Sequence, residues 1–133
     1  MTILLLAILL SGCRPEYQCN VPIGDAACQL ELMQYPNLIG GKGYEYIVAG
    51  YQGVVVIRTS ISEYAAYERT CPYDEGRLEV SADYGNTVLE CPQCHSRFNA
   101  FAGGVPVEGS LTSCSLYQYS AVADGGVLYI GNY

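Results

Sequence analysis

Two short segments carry the residue types that do chemistry: Cys71-Pro72-Tyr73 and Cys91-Pro92-Gln93-Cys94-His95-Ser96-Arg97-Phe98. Thiolates are nucleophiles and soft metal ligands, and a Cys-x-x-Cys pair is a common half of a tetrahedral zinc site. Cys91 and Cys94 supply such a pair, Cys71 a third sulfur, and either His95 or Cys114 a fourth ligand. Only one of the two Cys-x-x-Cys pairs of a full zinc ribbon is present, so the zinc signal is partial. A redox-active dithiol needs a helix N-terminus or a cation to stabilise the thiolate. Arg97 and His95 are near in sequence, but no helical pattern follows Cys94, and catalysis by this pair is disfavoured. A hydrolase fits less well, because His95 is the only histidine. Asp74 and Glu75 read as solvated loop acids. The chain is not expected to be an enzyme by itself.

The elements that must hold these loops are short and β-rich. Tyr44–Ala49 and Val54–Thr59 flank Gly50-Tyr51-Gln52-Gly53 and read as a hairpin. Tyr64–Glu68 reads as a third strand. Leu78–Val80 and Thr87–Glu90 flank a turn at 82–86. Arg97–Phe101 and Val105–Val107 flank Ala102-Gly103-Gly104. Leu116–Val122 and Val127–Ile130 flank Asp124-Gly125-Gly126. Strands at this spacing with Gly-rich turns predict an all-β antiparallel sandwich or barrel. Thirteen tyrosines and no tryptophan suit half-buried strand faces, where the ring packs and the hydroxyl stays wet. Residues 14–37 carry Pro15, Pro22, Pro36 and Gly24, and read as a tether followed by an irregular or edge-strand segment.

The N-terminal text has its own meaning. Residues 3–10 are a continuous apolar run, shorter than the roughly 20 residues that span a bilayer. The run suits a signal-peptide core. Leu10-Ser11-Gly12-Cys13 resembles a bacterial lipobox, although no Lys or Arg precedes the apolar run. The expected organisation is a lipoprotein signal peptide over 1–12, a lipidated tether and irregular segment over 13–37, and a β domain over 38–133. Cys13 is then the lipid attachment site. The expected location is the bacterial cell envelope, extracytoplasmic and lipid-anchored, at the outer membrane. The net charge of −7 disfavours the basic face that phosphate binding needs, so nucleic acid is not an expected partner.

Seven cysteines are many for 133 residues, and an exported chain meets conditions in which disulfides persist. Cys19 and Cys28 are neighbours in sequence and far from the rest, which predicts a local bridge between them.

Taken together, the C-terminal half resembles a Rieske-type [2Fe–2S] domain. The features that carry the resemblance are Cys71-Pro72-Tyr73, seventeen intervening residues, Cys91-Pro92-Gln93-Cys94, then Ser96-Arg97-Phe98. A Gly-Gly turn, Gly109, the strand Leu116-Tyr117-Gln118-Tyr119 and the hairpin Asp124–Ile130 follow in order. Ala66–Asp74 is similar to a group of Rieske-like lipoproteins from Bacteroidetes. The likeness covers about residues 38–131.

The resemblance implies a Rieske-like antiparallel β domain with two cysteine-bearing loops at one end. In the family, two Cys bind one iron and two His the other. By position, Cys71 and Cys91 match the cysteines, Tyr73 and Cys94 stand where the histidines belong, and His95 is one place late. The implied cofactor-binding set is Cys71, Cys91, Cys94, Tyr73 and His95, with Cys71, Cys91, Cys94 and His95 as the metal-ligand variant. A thiolate and a phenolate in place of two neutral imidazoles would turn a neutral diferric cluster into a dianion. Its potential would drop out of the Rieske range of roughly −150 to +300 mV, toward the plant-type value of about −400 mV. Three outcomes stay open: a [2Fe–2S] centre transferring electrons to an unknown redox or envelope partner, a zinc site, or no metal. In the last case disulfides staple the loops, and the domain is an envelope binding or structural module.

Overall fold

The computed structural model describes Cys19 and residues 21–132. The lipobox and Cys13 lie outside the described residues. Among the described residues ten strands run in order: β1 (Cys28–Glu31), β2 (Tyr44–Ile47), β3 (Val54–Arg58), β4 (Tyr64–Glu68), β5 (Glu79–Ser81), β6 (Val88–Glu90), β7 (Arg97–Asn99), β8 (Val105–Pro106), β9 (Gln118–Asp124) and β10 (Val127–Gly131). They form an antiparallel six-stranded sheet, β1-β10-β9-β4-β3-β2, and an antiparallel four-stranded sheet, β5-β6-β7-β8. The expected all-β class holds. The expected strands are present with small shifts at their ends, and Tyr64–Glu68 matches in full. The segment read as irregular or edge-strand contains the edge strand β1, paired with β10, then short helical turns at Leu32–Gln34 and Pro36–Ile39.

β3 is the centre of the fold. Val54, Val55, Val56 and Ile57 are all buried, and successive residues enter different cores because strand side chains alternate in direction. Val55 and Ile57 join Tyr67, Leu78, Leu89, Phe98 and Leu116 in a core that also contains Cys71 and Cys91. Val54 and Val56 join Leu30, Leu38, Ala66, Tyr119 and Leu128 in the second core. The two cysteines are thus fixed to a packed interior and are not carried on a free loop.

Glu68, at the end of β4, is a fully buried carboxylate. It accepts from Tyr51 N (2.8 Å), Gln52 N (2.7 Å), Thr70 Oγ1 (2.7 Å) and Tyr119 Oη (2.5 Å). Four donors replace the water a buried carboxylate loses. Gly50 leaves the necessary room: its φ is +69°, and a Cβ there would lie 2.5 Å from Glu68 Oε1. Gln52 then reaches onward, donating from Nε2 to the backbone oxygen of Glu75 at 2.7 Å. This chain of contacts ties the β2–β3 turn to the first cysteine loop.

The expected Cys19–Cys28 bridge does not form. Cys19 is bonded to Cys114, and Cys28 is a free, partly buried thiol in β1. Nearness in sequence lost to the sheet: β1 runs along β10 with Cys28 opposite Ile130, leaving Cys19 to meet the segment before β9.

Candidate metal centre

The loop between β4 and β5 and the loop between β6 and β7 are two copies of one turn. In the first, Cys71 N–H donates to Gly76 O at 2.8 Å and Glu75 N–H to Cys71 O at 2.9 Å. In the second, Cys91 N–H donates to Ser96 O at 3.0 Å and His95 N–H to Cys91 O at 2.9 Å. Tyr73 N–H points at Cys71 Sγ and Gln93 N–H at Cys91 Sγ, both at 3.4 Å. The fifth residue of each turn is left-handed, with φ of 62° at Glu75 and 63° at His95. Proline follows the cysteine in both, which fits a position with φ near −65°.

This turn directs its first and fourth residues to one point. Those residues are Cys71 and Asp74 in the first loop, Cys91 and Cys94 in the second. One ligand atom from each lies within 4.8 Å of every other. Cys71 Sγ and Cys94 Sγ are 3.8 Å apart, and Asp74 Oδ1 is 3.3 Å from Cys91 Sγ. Cys71 and Cys91 are buried, and Asp74 and Cys94 are half-buried. Gly76 lets the loops close on each other, since a Cβ on it would sit 2.7 Å from Cys91 Sγ.

The expected ligand residues fall into two groups in the structure. Cys71, Cys91 and Cys94 come together. Tyr73 and His95 occupy the third and fifth turn positions and face outward. The Tyr73 side chain is exposed, and the His95 ring is 72% exposed with Nδ1 at 3.4 Å from Glu90 Oε2. Cys114, a possible zinc ligand in the sequence, is committed to its disulfide. Asp74, read as a solvated acid, is the fourth member of the group. The signal that could have found it is the repeated text Cys-Pro-x-(Asp/Cys) at 71–74 and 91–94.

Burial pushes the thiols of Cys71 and Cys91 up, against the pull of the N–H groups directed at their sulfurs. Burial also pushes Asp74 up, but the Gly76 N–H and the surrounding thiols outweigh it and hold the carboxyl below its usual range. Without a metal the group is one carboxylate receiving hydrogen bonds from its neighbours. Ser96 supports the second loop: its buried hydroxyl accepts from Cys94 Sγ at 3.3 Å and from Leu111 N at 2.9 Å.

No protein-family model matches the chain, and no curated protein matches it. Solved structures do. The chain superposes on the cyanobacterial plasma membrane Rieske protein from Synechocystis PCC 6803 with TM-score 0.59 and 20% identity, over 72% of this chain and 92% of that one. It superposes on the ferredoxin of carbazole 1,9a-dioxygenase from Nocardioides aromaticivorans IC177 with TM-score 0.57 and 18% identity, over 81% of this chain and 99% of that one. The fold is Rieske-like.

The residues do not supply the two-cysteine, two-histidine ligand set of a standard Rieske cluster. A Rieske centre needs two imidazoles on its outer iron, and the one histidine of the chain faces away from the group. Ligands to different irons are also held apart by the iron–iron separation, whereas the four ligand atoms here all lie within 4.8 Å of one another.

Proposed function

We propose that this protein is a thiolate metal-binding domain on a Rieske scaffold, working as an electron-transfer component of a bacterial envelope when the bound metal is iron. The observation that carries the reading is the convergence of Cys71, Cys91, Cys94 and Asp74 from two matched turns. Iron there would supply a one-electron couple, and the anionic ligands would place it at low potential. The chain's part is to hold the ligands, direct two N–H groups at sulfur and bury two of the thiolates. The lipobox at 10–13 and the likeness to Rieske-like lipoproteins of Bacteroidetes support a lipid anchor at Cys13. The Cys19–Cys114 disulfide supports an oxidising, extracytoplasmic location. A redox protein of the same envelope is the implied partner.

A second reading has one observation in its favour. Cys71 Sγ and Cys94 Sγ, 3.8 Å apart, could close into a disulfide that staples the loops of a metal-free binding or structural module. The deciding experiment is metal, acid-labile sulfide and free-thiol analysis of the full chain, isolated without air and again after exposure to air. Stoichiometric metal with Cys71, Cys91 and Cys94 shielded from alkylation supports the metalloprotein. Metal-free protein in both preparations, with Cys71 and Cys94 joined, replaces it with the stapled module.

A further inference from the structure

We propose that Cys71, Asp74, Cys91 and Cys94 form a closed tetrahedral site for a single iron or zinc ion, with the Asp74 carboxylate as fourth ligand. The inference rests on the metal-binding reading above and specifies the centre.

The inter-loop distances favour one ion over two. With metal–sulfur bonds of about 2.3 Å and metal–oxygen bonds of about 2.0–2.2 Å, a tetrahedron has edges of about 3.8 Å between sulfurs and about 3.5 Å between sulfur and oxygen. Cys71 Sγ to Cys94 Sγ is 3.8 Å, and Cys91 Sγ to Asp74 Oδ1 is 3.3 Å. Both edges run between loops, so the two turns are already spaced for one ion. The local geometry agrees. Each turn offers its first and fourth residues, the spacing of a Cys-x-x-Cys half-site, with Asp in place of the last Cys in the first loop. Gly76 fixes the closeness, because its backbone packs where a Cβ would strike Cys91 Sγ. Parting the loops to admit two irons and two sulfides would break this contact.

Three thiolates and a carboxylate suit iron or zinc and disfavour hard cations such as magnesium and calcium. Four protein ligands leave no open position, as in structural rather than hydrolytic zinc sites. On binding, each protonated thiol surrenders its proton to solvent.

The test uses the full chain, reduced and titrated anaerobically with Co(II), which reports coordination through its visible spectrum. One Co(II) per chain is expected, with intense tetrahedral ligand-field bands and sulfur charge-transfer absorption. Zn(II) should displace it one for one. Asp74→Ala should weaken binding by more than about tenfold, since even partners of ligands are worth that much. Asp74→Cys should keep one ion per chain and add charge-transfer intensity from a fourth sulfur. His95→Ala and Tyr73→Phe should leave affinity and spectrum unchanged. A strong loss in His95→Ala, or Asp74→Cys with an unaltered spectrum, overturns the assignment of Asp74. Reconstitution with ferrous iron and sulfide that yields two irons and two sulfides per chain overturns the single-ion site while leaving a metal-binding domain. No uptake of Co(II), Zn(II) or iron by the fully reduced chain overturns both. Metal analysis of the isolated chain then assigns the resident ion to iron or zinc.

Discussion

Asp74 accepts a hydrogen bond from the thiol of Cys91, 3.3 Å away across the gap between two loops that are remote in sequence. The carboxyl is held ionised while its neighbours Cys71 and Cys91 are held protonated by burial. A divalent ion entering this point meets one ready anion and must displace protons from the sulfurs. Zn(II) uptake should therefore release at least two protons per chain near neutrality. Apparent affinity should rise by about a hundredfold per pH unit for two displaced protons. Proton release in weakly buffered solution, read beside a competition titration, measures this.

Gly76 sets the distance between the loops. Gly76→Ala would place a methyl group 2.7 Å from Cys91 Sγ and 3.2 Å from Asp74 Oδ1. Metal uptake should fall by more than about tenfold, and thermal unfolding should show a loss of about 1–3 kcal/mol from overpacking. Metal stoichiometry and melting on the same sample separate the two effects.

Glu68 is predicted to be a stability residue outside the site. Glu68→Ala leaves Tyr119 Oη, Thr70 Oγ1 and two backbone N–H groups without their acceptor. The expected cost is about 3–5 kcal/mol, read as a lowered urea midpoint. Glu68→Gln should recover part of it. Gln52 links this cradle to Glu75, so the first loop should also show faster amide exchange in both variants.

Much of this was legible in the sequence. β3 is a run of β-branched residues between Gly53 and a polar turn, and Tyr64–Glu68 ends where its apolar pattern ends. The three loop cysteines could be assembled because their order and spacing match a known two-loop scaffold. Asp74 was missed because the histidine pattern directs attention to the third residue of the first loop, whereas the turn adopted here presents the fourth. The Cys19–Cys114 pairing depends on where the segment before β9 passes, and no local pattern encodes that. Glu68 looks like an ordinary strand-end acid until the Gly50–Gly53 turn folds over it.

Tyr67 supplies a pH signature independent of metal. Its buried hydroxyl donates to Ala100 O at 2.8 Å, and burial pushes its pKa up to about 12. The folded value lies above the ordinary value of about 10. Its contribution to stability is therefore complete below about pH 10 and lost as pH rises through 12. A spectrophotometric tyrosine titration of the folded chain should show Tyr67 ionising in a late phase. Tyr119 is pushed up further by burial and by Glu68, so Tyr67→Phe should lower the late phase by one tyrosine and leave the Tyr119 step in place.

Reducing the Cys19–Cys114 bond opens a span with a sequence separation of 95. The expected loss is about 4–5 kcal/mol on a chain-entropy basis. Cys28, half-buried and with its thiol pushed up by burial and by Asp25, should alkylate slowly in the folded protein. Denaturation with and without reductant, with peptide mapping of the labelled thiols, checks both.

The same bond decides how the domain carries a load. β1 is an edge strand held along one side by β10, and a pull on the chain ahead of it would peel it off one residue pair at a time. The covalent clasp at Cys19 diverts that pull to Cys114, in the segment whose Leu111 is anchored on Ser96 of the second loop. Tension arriving from the N-terminal side enters the body beside the second cysteine loop and bypasses β1. The clasp also makes residues 19–114 a closed ring, so a single proteolytic nick inside it leaves both fragments attached.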